Sequence, residues 1–161
     1  MQNSAAIENL ELAKKELKRA DHLMFVSLKY TRTVDVLKSV LSRLLSTLEY
    51  SFIALLEQAK ATGRTKTVPT QPKLRADELK KIYAEDPFVQ QMVEFYFILK
   101  KIDNAPFERR MEYRRHVTMI SHIDDKKVEI DIDVVGDYFN KVEEFVTHVE
   151  NVLFGKTESG Q

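Results

Sequence analysis

From Val34 to about Thr62 the apolar residues Leu37, Leu41, Leu44, Leu45, Leu48, Phe52, Leu55 and Leu56 recur with the period of an α-helix. Val36, Val40 and Ile53 widen the stripe, so this segment is expected to be the most buried element of the fold. A helix that must bury so broad a face needs helical partners, and the sequence supplies them. Ile7, Leu10, Leu17, Ala20, Met24 and Leu28 predict a first helix from about residue 5 to Tyr30, with Ser4 as its N-cap. Thr31-Arg32-Thr33 then caps the second helix and Gly63 ends it. Val89, Met92, Val93, Tyr96, Leu99 and Ile102 mark a third, opened by Asp86-Pro87 and running to Asp103. The last stripe, from Val134 through Phe139, Phe145 and Val149 to Leu153, predicts a helix capped by Asp133 and closed at Gly155.

The connections are less regular. Residues 63–74 read as a loop, at the long end for a compact domain. Arg75–Tyr83 predicts a short helix, and Asn104-Ala105-Pro106 breaks the third long one. After His116 the period changes to two. Val128, Ile130 and Ile132 alternate with Glu129, Asp131 and Asp133, while Val117, Met119, Ser121 and Ile123 offer a weaker alternation. With the polar residues 124–127 between them, these predict a two-stranded hairpin that needs the helices for support. The expected fold is therefore all-α: one domain over residues 1–155, a bundle of four principal helices with a short β-hairpin before the last, and a fraying tail over 156–161.

A chain with 43% apolar and 31% charged residues can build a core. Without cysteine it has no disulfide, thiolate nucleophile or cysteine-ligated zinc. The longest uninterrupted apolar run, Phe52–Leu56, is far short of the ~20 residues that span a bilayer. The N-terminus mixes acids, amides and bases with no apolar signal region, so a soluble cytoplasmic protein is expected. Net charge is zero, which argues against a globally basic nucleic-acid binder. The charges are nonetheless polarised: residues 60–81 are basic, with Lys66 and Lys73 among seven bases, and residues 124–150 are acidic. This polarity and the broad second stripe raise the expectation of a homodimer.

Residues 109–122, RRMEYRRHVTMISH, hold four of the nine arginines and two of the four histidines. The spacing allows two helical turns from Phe107 to Tyr113, on which Arg110 and Arg114 would be neighbours, as would Arg109 and Tyr113. Arginine forks suit phosphate, and Tyr113 can stack on a base, so Arg109, Arg110, Tyr113, Arg114 and Arg115 form a candidate anion or RNA contact. Glu108 and Glu112 can equally pair with these arginines and leave a neutral surface. Arg115 and His122, seven apart, share a face on a helix and take opposite faces on a strand.

Four long helices with Arg115-His116-Val117-Thr118-Met119-Ile120-Ser121-His122 late in the chain resemble the HEPN superfamily of helical nucleotide-binding and RNase domains, in which an arginine and a histidine a few residues on lie at a dimer face. Arg109 and Arg110 before His116 are looser matches. The resemblance implies metal-independent RNA cleavage through the ribose 2′-hydroxyl, with His122 moving the proton and Arg115 stabilising the phosphorane-like charge.

Two smaller constellations carry less. His122, Asp124 and Asp125 are possible metal ligands that lack further ligands nearby, and a polar turn explains them. Asp21-His22 is a possible functional pair, or a partly buried structural histidine. No phosphate-cradling glycine loop is present. No metal, cofactor or membrane is expected. The expected function is a non-catalytic, self-associating interaction module that contacts an acidic partner, such as RNA or a ribonucleoprotein, through the arginine cluster and the 60–81 region. The alternative is a HEPN-like endoribonuclease.

Overall fold

A computed structural model describes residues 4–155; the tail expected to fray lies outside them. The chain is mainly helical, with one small antiparallel sheet. In order it forms α1 (Ser4–His22), a π-helical turn (Leu23–Ser27), α2 (Leu28–Tyr30), α3 (Val34–Ala61), α4 (Pro72–Ile82), α5 (Pro87–Asn104), β1 (Phe107–Arg110), β2 (Thr118–Ile123), β3 (Lys126–Ile130) and α6 (Ile132–Phe154).

The expected first helix is one rod interrupted by the π-helical turn. Ala6, Leu10, Ala13 and Ala20 are buried in α1, followed by Met24 and Leu28. The alanines recur every seven residues and let α1 lie close against α3, whose buried Leu37, Leu41, Leu44, Leu48 and Leu55 carry the same alternation of three and four. Ala20, Met24 and Leu28 break this rhythm with two steps of four. The wide turn absorbs the drift: the Leu28 N–H bonds the Leu23 carbonyl, five residues back, which keeps Met24 and Leu28 both inward.

α3 begins where the Thr33 side chain accepts the Val36 N–H at 3.3 Å. It ends in a Schellman motif: Gly63, at φ +80°, donates to Lys60 at 3.1 Å, and Arg64 donates to Ala59 at 2.8 Å. By length and composition α3 is apolar enough to cross a membrane, but over half of that stretch is buried inside this fold. It packs against α1, α4, α5, α6 and β2, so the stripe that suggested a dimer is covered within one chain.

Asp86 caps α5 by accepting the N–H groups of Phe88 and Val89 at 3.0 and 3.2 Å. α4 starts at Pro72, three residues before the expected Arg75, with proline at its first turn. The cap of α6 is Asp131, not Asp133: its side chain accepts the Val134 N–H at 2.9 Å, so Ile132 opens the helix instead of ending a strand. Phe52 sits at the centre of the core, edge-on to Tyr96 at 5.4 Å and to Phe145 at 5.9 Å.

The sheet has three strands, not two. β2 and β3 form the expected hairpin, turned by Asp124 and Asp125 at φ 48° and 64°, two left-handed residues as a two-residue hairpin turn requires. β1 adds to the other edge of β2, with Phe107 opposite Ser121 and Arg110 opposite Thr118. Residues 107–110 are therefore strand, not the helical turns their spacing allowed. Four residues form no alternation legible by itself, and their ladder partner lies eight or more positions downstream.

Candidate nucleic-acid interface

The strand register separates the arginines that a helix would have clustered. Paired residues share a face. Phe107 and Arg109 lie with the buried Ser121 and Met119, toward the helices; Glu108 and Arg110 lie with Ile120 and Thr118 on the opposite face, where those two β2 residues are also buried. Arg109 reaches the start of α3, where it meets Asp35 at 2.9 Å and Glu112 at 3.9 Å and lies 5.3 Å from the centre of the Phe107 ring. The hydrogen bond that its guanidinium donates to the Asp35 carboxylate raises its pKa above the ordinary arginine value. Arg110 crosses β2 to pair with Glu129 on β3. These two arginines are neutralised, as acidic neighbours allowed, though mostly by acids distant in sequence.

Arg114 and Arg115 differ. Both are exposed on the 111–117 loop between β1 and β2, and neither has an acidic partner among the described residues. The loop is pinned to the start of α3. Tyr113 donates its N–H to the Arg32 carbonyl at 2.6 Å, and Glu112 accepts the Val34 N–H at 2.8 Å, serving as a second cap for that helix. Within the loop, Arg114 N–H bonds Met111 at 3.2 Å, Val117 N–H bonds Arg114 at 3.0 Å, and the Thr118 hydroxyl bonds His116 at 2.8 Å.

This pinning holds an unfavourable backbone. Met111 and Tyr113 have φ of 58° and 65°, left-handed values that cost a non-glycine residue about 1–2 kcal/mol each. Such strain persists only where surrounding contacts impose it, and it is concentrated at functional sites. Its consequence here is display: Tyr113 is 77% exposed, beside the two free guanidinium groups and the exposed His116. Tyr30, 79% exposed, stands two residues before the Arg32 carbonyl that receives Tyr113, so two open tyrosines border one junction. At that junction Arg32 Nε is buried without an acceptor, an unmet donor. Sequence periodicity passes over Tyr30; its only signal is a large aromatic just past the apolar stripe.

The remaining candidate residues lie elsewhere. His122 stands near the far end of β2, its Nε2 bonded to the Glu108 carboxylate and its backbone N–H to Pro106 at 2.9 Å. Five extended steps along the chain, about 16 Å, separate Val117 from His122. Arg115, in the turn before Val117, is not brought to His122. The exposed Lys66 belongs to the connection leaving the far end of α3, a helix about 42 Å long. There Arg64 bonds the Ile82 carbonyl and Thr65 bonds Glu78 at 3.0 Å. Lys73 borders a separate cleft with Phe97, Lys100 and Lys101. The basic 60–81 region and the arginine loop are thus distinct surfaces. Among the described residues no group of three His, Asp or Glu side chains could hold a metal ion. Asp124 and Asp125 form the hairpin turn, and His22 is exposed, not buried structure. No protein-family model, curated protein or solved structure matches this chain.

Proposed function

We propose that the protein is a non-catalytic interaction module that contacts RNA, alone or within a ribonucleoprotein, through the loop that carries Tyr113, Arg114 and Arg115. The observation that carries this reading is the pairing of two unneutralised, exposed arginines with an exposed tyrosine on a strained but pinned backbone. Arginine forks take phosphate oxygens, and the open tyrosine face takes a base, a combination that binds single strands with little sequence preference. Arg109 and Arg110 do not add to it directly, because Asp35, Glu112 and Glu129 hold them. Of the two features that motivated self-association, the α3 stripe is covered within one chain while the charge polarity remains, so a homodimer stays part of the proposal.

The test is RNA affinity as a function of salt. The logarithm of the affinity should fall linearly with the logarithm of salt concentration, and the double charge reversal Arg114→Glu/Arg115→Glu should weaken binding at least about tenfold. It should also flatten the slope by about 1.4, the value for two phosphate contacts on a single strand. Binding that ignores the double reversal would refute the assignment.

A further inference from the structure

A groove separate from the arginine loop runs between α1 and α3. It consists of two adjoining hollows of about 650 and 530 Å³ that share Leu23 and Arg43. Its two walls differ in chemistry. On α1, Lys15, Lys18 and His22 follow at steps of three and four and form one row of basic side chains. On α3, Ser39, Ser42 and Ser46, at the same steps, form a row of hydroxyls on the side opposite the buried leucines. Leu23, the first residue of the π-helical turn, lies between the rows, and π-helical turns inside α-helices frequently mark functional sites.

Asp35 is the one acid among the lining residues, and it is engaged, as is Glu16 beside Arg43. Glu16 is held by Arg43 at 3.1 Å and by Arg19 at 3.4 Å. Lys38 is held by Asp103 at 3.2 Å. Asp35, at the groove's end, is held by Arg109 at 2.9 Å. Lys15 and Lys18 have no acidic partner among the described residues. The uncompensated charge of the groove is thus positive, and it lies on one wall only.

The Asp35–Arg109 pair places the end of the groove at β1, the strand that leads into the 111–117 loop. We propose that the groove carries a single-stranded RNA segment continuing from that loop, with phosphates on the α1 cations and riboses or phosphates on the α3 hydroxyls. This rests on the RNA reading of the loop. The row from Lys15 to His22 spans about 10.5 Å, room for about three phosphates at the ~3.4 Å per nucleotide of a stacked strand. The proposed occupant is a single strand, whose flexible backbone can follow the row of cations along α1. The serines suit a ribose chain, since the 2′-hydroxyl both donates and accepts.

Fluorescence anisotropy with labelled oligouridines of about 4 and about 12 nucleotides, and with a duplex of the longer length, tests this. Lys15→Glu/Lys18→Glu should weaken the longer strand about tenfold and flatten its salt slope by about 1.4, leaving the shorter one unchanged. Ser42→Glu, which charges the opposite wall, should act in the same direction. Arg114→Glu/Arg115→Glu should weaken both strands. If the groove variants leave the longer strand unaffected while the loop variant weakens it, the groove assignment fails and the loop reading stands. If the duplex loses as much affinity as the strand in the groove variants, the single-strand assignment fails. If wild type binds none of the three at low salt, both readings fail.

Discussion

Tyr113 carries opposing demands in one residue. Its left-handed backbone would suit glycine, yet a large aromatic occupies the position and points its ring into solvent. Tyr113→Gly should leave stability unchanged or raise it by about 0.5–1 kcal/mol in urea unfolding, while weakening RNA binding. A loss of stability would show that the ring packs against the fold and is not displayed for a partner. Asp86 is the structural counterpart. One carboxylate oxygen caps α5, and the other meets His148 Nε2 on α6 at 2.7 Å. Asp86→Ala should cost about 1–2 kcal/mol, the upper part of the range for a lost N-cap, because the link between α5 and α6 is lost with it. Of the individual residues, the caps were the most legible in the sequence. Thr33, Gly63 and Asp86 act on backbone groups within three positions of themselves, so local order reveals them. Asp131 was obscured because Ile130-Asp131-Ile132-Asp133 alternates like a strand past the point where the strand ends.

At the scale of elements, the close contact of α1 with α3 depends on small side chains as much as on leucines. Ala13 is fully buried between them, so Ala13→Leu should overpack the contact and destabilise the fold by about 1–3 kcal/mol in the same urea experiment. Buried tyrosines add a pH dependence. Tyr96 lies well above the ordinary tyrosine pKa, first because burial disfavours its phenolate and then because Glu49 accepts its hydroxyl hydrogen at 2.7 Å; burial also raises Tyr83 and Tyr138. The unfolded chain releases these protons near pH 10 while the folded one still holds them. Their stabilisation is therefore complete below about pH 10 and declines as pH rises above it. Tyr96→Phe should make that alkaline decline shallower, as followed by unfolding at a series of pH values. The long helices were legible as elements because their stripes repeat over many turns. β1 was not, since a four-residue edge strand takes its identity from β2, and Glu108, Arg109 and Arg110 give it no apolar face. The π-helical turn went unread although two successive steps of four, Ala20 to Met24 to Leu28, are its signature.

In the whole molecule, zero net charge conceals a division of labour among the cations. Many are paired with acids across the fold, as Lys14 is with Glu150 and Arg109 with Asp35. Those left open near the start of α3 gather at the 111–117 loop and along the neighbouring α1 row. The sequence marked the arginine stretch as the place to look but could not divide it, because the division is made by acids 19 to 74 positions away. It gave no sign of the groove, whose two rows meet only when α1 folds back on α3. The most direct measurement is RNA affinity across a salt series for wild type and for Arg114→Glu/Arg115→Glu, with helicity and urea midpoint matched between them. The expected result is salt-sensitive binding that the double reversal weakens at least about tenfold with a shallower slope. Equal affinities and equal slopes for the two proteins would contradict the account.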